Sequence, residues 1–406
     1  MSTENCFSIK EVMNPAERER YLFGELRETL SRAKTDSVYY QQLLQNVNAA
    51  SIQCREDLAS LPVTRKADLI RFQAGHPPFG GLNGVDPGAV ARLFQSPGPI
   101  QEPEGKGDDW WRMGQAFYAA GFRAGDIVHN TLSYHLSPGG FIMDSGARAC
   151  GCAVIPAGTG QTELQLQVID SLKPTGYCGT PSFLKTLLEK ADEKGQELSF
   201  THAMVSGEAL PESLRSYFQC RGIQCFQCYA TADLGLIAYE SHGSAGMVVA
   251  EDIILEILNP DTCEVVPEGG IGEVVVTSFN PEYPMIRFAT GDLSAVAEGS
   301  SDCGRTNSRI RGWLGRTDMS TKVRGLFVHP NQVTTIVQRH HGIIKAQFSI
   351  SHEEGKDRLT LLYESNDQVD TEALEKSIKS VTRLRGETQR VETLAKDDQL
   401  IVDERG

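Results

Sequence analysis

No stretch of this 406-residue chain approaches the ~20 consecutive apolar residues that a membrane-spanning helix needs. Membrane partners are therefore not expected. The first residues, MSTENCFSIKEV, mix acidic, basic and polar side chains and hold no apolar stretch of a secretory signal, so a cytoplasmic protein is expected. Basic residues are in deficit: 39 Lys and Arg stand against 53 Asp and Glu, a net charge of −14. A surface of that sign repels nucleic acid and anionic lipid. An anionic ligand would need a local positive site made of backbone N–H groups and a few Arg or Lys. There is no internal repeat and no low-complexity tail. Ten cysteines without a signal segment point to reduced thiols. The remaining composition, 40% hydrophobic and 23% charged, is that of a folded soluble chain, and its length suggests two or three domains.

Apolar positions Tyr21, Leu22, Leu26 and Leu30 recur at helical spacing, predicting a helix over residues 16–34. A second short helix is predicted over 38–47, and Thr64 reads as the N-cap of a helix through KADLIRFQ. A long Gly/Pro-rich connection, residues 75–107, follows. From Asp108 to Tyr229 helix-like and strand-like segments alternate, which predicts βαβ units and a largely parallel sheet with ligand loops at strand ends. Residues 246–296 alternate apolar and polar positions around turn-rich NPDTCEVVPEGG and should be antiparallel. From Leu314 the order reads β-α-β-β-α-β, a split βαβ module of small-domain size.

Several segments, in this order, carry a specific resemblance: HNTLSYHLSPGGFIMDSGARACGCAVIPAG, GTPSFL, SGEALPESLR, EDIILEILNPDTCEVVPEGGIGEVVVTSF, YPMIRFATGDLS and GRTNSRIRGWLGRTDMSTKVRGLFVHPNQV. From about Leu61 to Gln332 the chain resembles the phenylacetate–CoA ligase family of adenylate-forming enzymes. The resemblance implies an α/β fold. A large N-terminal adenylation domain (1–313) would combine βαβ sheets with a β-rich subdomain. A small mobile α+β C-terminal domain (314–406) would follow a hinge near 316–318. It implies that a small carboxylic acid, aromatic by the family's default, attacks the α-phosphate of ATP to give acyl-AMP, from which a thiol, usually CoA, then displaces AMP. Mg²⁺ would assist, and relatives suggest a homodimer.

By the same resemblance, Asp292 in ATGD accepts from the ribose hydroxyls, and Arg316 contacts ribose and phosphate beside the hinge residue Asp318. In YATAD, Tyr229 faces adenine, Thr231 touches the α-phosphate and Asp233 holds the metal. Gly207 and Glu208 face adenine. Tyr134, Gly140 and Phe141 shape the acyl pocket, with Gly140 leaving room for a ring or chain. Arg324 and Gly325 match the turn that enters the site for the thiol step. Each has an ordinary alternative: a turn Asp, a surface ion pair, a helix-supporting Glu, a core aromatic or a solvated Arg.

The chain also departs from the family pattern. The phosphate loop, Ser-Ser-Gly-Thr-Thr-Gly-Lys-Pro in the family, reads here Ser96-Pro97-Gly98-Pro99-Ile100-Gln101-Glu102-Pro103-Glu104-Gly105. Only Ser96 and Gly98 match. Prolines lack N–H donors and the two glutamates repel phosphate, so pyrophosphate should bind worse. No Gly-Lys pair ends the chain, leaving Lys396 as the nearest counterpart of a catalytic lysine. Of the zinc ligands some relatives carry, one remains, so no structural zinc is expected. Three functions stay open: an acyl- or aryl-CoA ligase, an adenylating enzyme with another acceptor, and a non-catalytic nucleotide- or CoA-ester-binding homologue.

Overall fold

The structure is a computed structural model that describes residues 6–96, 99–243, 245–299, 302–317, 321–323, 326–353, 356–382, 384–394 and 399–405. Two compact units emerge from the contacts: residues 1–290 with 294–313, and residues 291–293 with 314–406.

In the first unit, helix α1 (Pro15–Asp36) starts where Asn14 accepts a hydrogen bond from the Ala16 amide and Pro15 needs no donor. Its buried face, Leu22, Phe23, Leu26, Leu30 and Ala33, repeats every three to four residues. Helix α2 (Val38–Leu43) follows. Thr64 is not a helix cap. It lies in strand β1 (Thr64–Arg65), paired in parallel with Phe288, and a 3-10 turn at Lys66–Asp68 separates it from α3 (Leu69–Gly75). The Gly/Pro-rich connection contains an antiparallel hairpin, β2 (Arg92–Ser96) with β3 (Ile100–Glu104). Pro103 sits in the edge strand of this two-stranded ribbon, where a missing donor is tolerated.

Helix α4 (Gly114–Ala119) then leads into the predicted alternation. The elements are β4 (Ile127–Asn130), α5 (Gly139–Ala149), β5 (Ala153–Pro156), α6 (Thr162–Leu172), β6 (Gly176–Gly179), α7 (Pro181–Glu193), β7 (His202–Val205), α8 (Glu212–Cys220) and β8 (Gln224–Thr231). Strands β9 (Gly235–Tyr239) and β10 (Met247–Val249) continue the chain. The antiparallel segment supplies β11 (Ile253–Leu258), β12 (Gly272–Ser278) and β13 (Met285–Ser294), with β14 (Arg309–Ile310) beyond it.

One eight-stranded sheet runs β14-β10-β9-β8-β7-β6-β4-β5. Its β5-β4-β6-β7-β8 half is parallel, and β8 turns back on β9 in an antiparallel pair. A second sheet is ordered β1-β13-β12-β11. Strands β11 and β12 are antiparallel as expected, whereas the β1–β13 pair is parallel. A largely apolar cluster including Leu26, Trp111, Phe117, Ile237 and Phe288 fills the core of this unit.

In the second unit, β15 (Gly315–Arg316) pairs with the Asp292–Leu293 end of β13. Next come a short hairpin, β16 (Thr321–Val323) with β17 (Leu326–Val328), and α9 (Pro330–Arg339). Strands β18 (Ile343–Glu353) and β19 (Lys356–Ser365), helix α10 (Thr371–Thr382), β20 (Glu387–Arg390) and β21 (Ile401–Asp403) complete the chain. Their sheet is ordered β20-β19-β18-β21. The β-α-β-β-α-β reading is corrected at both ends. Its first strand is a separate hairpin, and β21, which the sequence reading omitted, pairs with β18. Val328, Ile336, Phe348, Leu361, Leu374 and Ile378 are buried between this sheet and its helices.

Candidate functional site

Parallel strands aim their carbonyl ends and the following loops in one direction, which is where α/β sheets collect ligand groups. In the first unit, four quoted motifs leave the carboxyl ends of parallel strands: SYHLSPGG after β4, GTP after β6, SGEAL after β7 and YATAD at the end of β8.

After β7, Gly207 adopts φ +81°, a left-handed turn that suits glycine. The Glu208 carboxylate accepts from the Ser182 amide in the first turn of α7 at 3.3 Å, and its carbonyl accepts from Gln227 Nε2 at 2.8 Å. Glu208 thus reaches the N-terminus of α7, the helix before it, whereas the ordinary role weighed for it was support of the next helix. Tyr229 is buried, and its hydroxyl lies 3.4 Å from Thr290 Oγ1, which donates to the Val274 carbonyl at 3.0 Å. The Thr231 hydroxyl accepts from the Leu234 amide at 3.3 Å and closes the β8–β9 turn.

Asp233 lies inside that turn with its side chain fully buried. Lys66 Nζ, delivered by the 3-10 turn after β1, donates to its Oδ2 at 2.6 Å. Asp233 Oδ1 is buried without a hydrogen-bond partner among the described residues. The hairpin brings a second carboxylate toward it. Glu102 is 1% exposed, and its pKa is pushed up to about 7 by burial and then by the Asp233 charge, with the Ser96 hydrogen bond opposing. Ser96 Oγ donates to Glu102 Oε1 at 2.5 Å, and the Ser96 amide lies 3.3 Å from Oε2. The one phosphate-loop hydroxyl that matches the family is therefore bonded to the chain's own glutamate. Tyr283 completes the cluster, a buried phenol held protonated by burial and by the Asp233 and Glu102 charges.

The residues expected at the acyl pocket pack against one another. The Phe141 ring lies 5.0 Å from Tyr134 and 5.3 Å from Phe94 between centroids, with the Arg92 guanidinium 4.7 Å above its face. Asn130 Nδ2 donates to the Tyr134 hydroxyl at 2.7 Å and to the Gly140 carbonyl at 2.8 Å. The space expected beside Gly140 is taken by the protein itself. A Cβ there would meet the Ser133 carbonyl and the Tyr134 ring, each at 2.8 Å.

In the second unit Asp292 and Arg316 occupy one register of the β13–β15 pair, Oδ1 to Nη1 3.4 Å. Gly291 takes φ +80°, and an added Cβ would lie 3.1 Å from the Arg316 guanidinium. Gly98, Asp318, Arg324, Gly325 and Lys396 lie outside the described residues.

Lys66 was missed by sequence reading. Its partner is 167 positions away, and its only signal was a basic VTRKAD segment in an acid-rich chain. Among the described residues no group of three or more His, Cys, Asp or Glu side chains could hold a metal. None of the ten cysteines, all among the described residues, is in a disulfide. Those near the strand ends are buried: burial drives the Cys178 thiol well up, and pushes Cys225 and Cys228 up to about 12.

The AMP-binding enzyme family model matches residues 109–280, the span that contains the parallel strands. A phenylacetate–coenzyme A ligase of Thermus thermophilus is 33% identical over 74% of this chain and 70% of its own length. One from Pseudomonas putida is 32% identical over 76% and 72%, and one from Escherichia coli 27% over 84% and 80%. Among solved structures, an open conformation of 2-hydroxyisobutyryl-CoA ligase in complex with 2-HIB-AMP and CoA superposes with a TM-score of 0.85 at 23% identity, covering 97% of this chain and 93% of the other. The overall likeness is one of fold. The sequence match settles the kinship: this chain belongs to the phenylacetate–CoA ligase family of AMP-binding enzymes.

Proposed function

We propose that this protein activates a small carboxylic acid with ATP and passes the acyl group to CoA. The observation that carries the reading is the convergence of four motif loops on the carboxyl ends of one parallel sheet. A carboxylate oxygen attacks the α-phosphorus. The bond from that phosphorus to the bridging oxygen breaks, and pyrophosphate leaves with the electron pair. The CoA sulfur then attacks the acyl carbon of the mixed anhydride, AMP leaves, and the thiol proton passes to solvent or a base. The first step depends on positioning and on neutralising phosphate charge.

In this reading Tyr229, Gly207 and Glu208 flank the base, Thr231 lies at the α-phosphate, and Asp292 with Arg316 holds the ribose. Tyr134, Phe94 and Phe141 give the acyl pocket an aromatic wall, which suits a small aromatic acid. The C-terminal domain turns about Asp318 between the two steps, bringing Lys396 to the first and Arg324 with Gly325 to the second. The enzyme acts in the cytoplasm, as a homodimer. Magnesium was expected at Asp233, but a carboxylate already paired with an ammonium is a poor donor set, and no step here is routed through a metal.

Acid-dependent exchange of pyrophosphate into ATP, followed by CoA-dependent AMP release, tests the proposal. Exchange without any CoA requirement for AMP release would point to another acceptor. The Ser96–Glu102 bond favours a second reading, a nucleotide-binding protein without turnover. AMP binding with no exchange across aromatic and aliphatic acids would select it.

A further inference from the structure

The Lys66–Asp233–Glu102 cluster is unusual on physical grounds. Two carboxylates are buried within electrostatic reach of one another, the Asp233 side chain at 0% and Glu102 at 1% exposed, while 27% of the Lys66 side chain is exposed. Burying an ionised carboxylate is costly unless a cation answers it at close range. The answering cation belongs to the chain itself, held 2.6 Å from Asp233 by the turn that follows β1. Strand β1 is fixed by its parallel pairing with β13 at Phe288 and Ala289, so the ammonium is delivered by sheet structure rather than by a free surface arm. Glu102 is held by Ser96 on the same hairpin, which turns a potential phosphate donor inward. A divalent cation at Asp233 would have to displace Lys66, and no group of three or more His, Cys, Asp or Glu side chains among the described residues is built to hold one.

We propose that Lys66 is a built-in cation at the YATAD turn, taking the electrostatic part of a divalent metal, so that adenylate binding by this chain is independent of metal. The inference rests on the nucleotide site assigned above and names a charge-supplying residue within it. Lysine suits this part as a compact point charge whose flexible stem can turn from Asp233 toward an incoming phosphate oxygen. It also accounts for a chain that keeps nucleotide motifs while lacking the lysine and threonines of the family phosphate loop.

Two readouts test it on the full-length protein. Isothermal titration with AMP is run in EDTA and in excess Mg²⁺, and Mn²⁺ binding is followed by electron paramagnetic resonance without nucleotide. The wild type should bind AMP with the same affinity, within about twofold, in both media. It should show no Mn²⁺ site that Asp233→Asn removes. Lys66→Ala should weaken AMP binding in EDTA about tenfold or more, as loss of a charged hydrogen bond predicts. It should gain one Mn²⁺ site, absent from Lys66→Ala/Asp233→Asn, and Mg²⁺ should restore part of its AMP affinity. Lys66→Arg should keep most of the affinity in EDTA. A wild-type Mn²⁺ site that depends on Asp233, or AMP binding that EDTA abolishes, overturns the proposal. These wild-type measurements decide even if Lys66→Ala does not fold. A wild type that binds AMP in neither medium overturns the nucleotide assignment instead, and the Mn²⁺ titration still judges whether Lys66 occupies a cation position.

Discussion

Asp292 and Arg316 face one another across the β13–β15 pair, with carboxylate and guanidinium 3.4 Å apart. The separation exceeds the ~2.8 Å of a tight charge-assisted hydrogen bond. Arg316 keeps 40% of its side chain exposed and Asp292 12%. Strand pairing sets the register that brings the two side chains together. Asp292→Ala and Arg316→Ala should each weaken AMP binding by about tenfold to a hundredfold, the worth of ~1.5–3 kcal/mol for a hydrogen bond to a charged group. Calorimetric titration checks this. Unchanged affinity in both variants would remove the pair from the nucleotide site.

Glu102 makes stability depend on pH. Its pKa rises from 4.5 toward about 7 on folding. The folded state therefore prefers the protonated acid. That preference stabilises the fold fully below 4.5 and is lost as pH climbs through about 7, where Glu102 ionises beside Asp233. Glu102→Gln retains an oxygen for the Ser96 hydroxyl and cannot ionise. Its melting temperature should gain on the wild type from about pH 5 to about pH 8. A difference that is flat or shrinks over that range would show that Glu102 is not buried against a negative neighbour.

Gly140 is a packing position as much as a pocket position. With Ser133 and Tyr134 atoms 2.8 Å from an added Cβ, Gly140→Ala should destabilise the first unit by about 1–3 kcal/mol, the usual cost of overpacking. Adding Tyr134→Leu removes the obstructing ring and should return part of the loss, a non-additive pair. Urea midpoints of the single and double variants decide. Additive losses would mean that the ring is not what Gly140 accommodates.

The buried pair Arg287–Glu256 holds the second sheet of the first unit together. Its side chains are 3% and 6% exposed, joined at 2.9 and 3.0 Å, and Arg287 also donates to the Leu61 carbonyl. Glu256→Ala strands a guanidinium in the interior and should cost about 3–5 kcal/mol. A urea midpoint near that of the wild type would mean that water reaches Arg287.

The parallel half-sheet was legible because helices and strands there alternate with clear apolar periods, from DIVHNTL through IQCFQCY. The hairpin at residues 92–104 was not, because Pro99 and Pro103 disguise strands whose burial comes from packing on distant residues such as Gln73, which donates to the Gln101 carbonyl. Strand β21 was hidden in a short polar tail that is a strand only through pairing with β18. Within the candidate site, motif residues could be named from the family resemblance. Their neighbours could not: the Lys66 ammonium and the ring beside Gly140 are tertiary facts. The resemblance named candidate residues, and packing decided which were already engaged.

The thiol placement bears on the fate of an activated acyl group. An acyl adenylate will acylate any nucleophile it meets, and a thiolate is among the fastest. Cys178 and Cys228 lie on β6 and β8, next to the loops that would cradle such an intermediate, yet burial keeps both as neutral thiols. A buried neutral thiol is a poor target for such acylation. Cys54 and Cys220, the exposed cysteines among the described residues, remain open to maleimide dyes as reporters on the native protein.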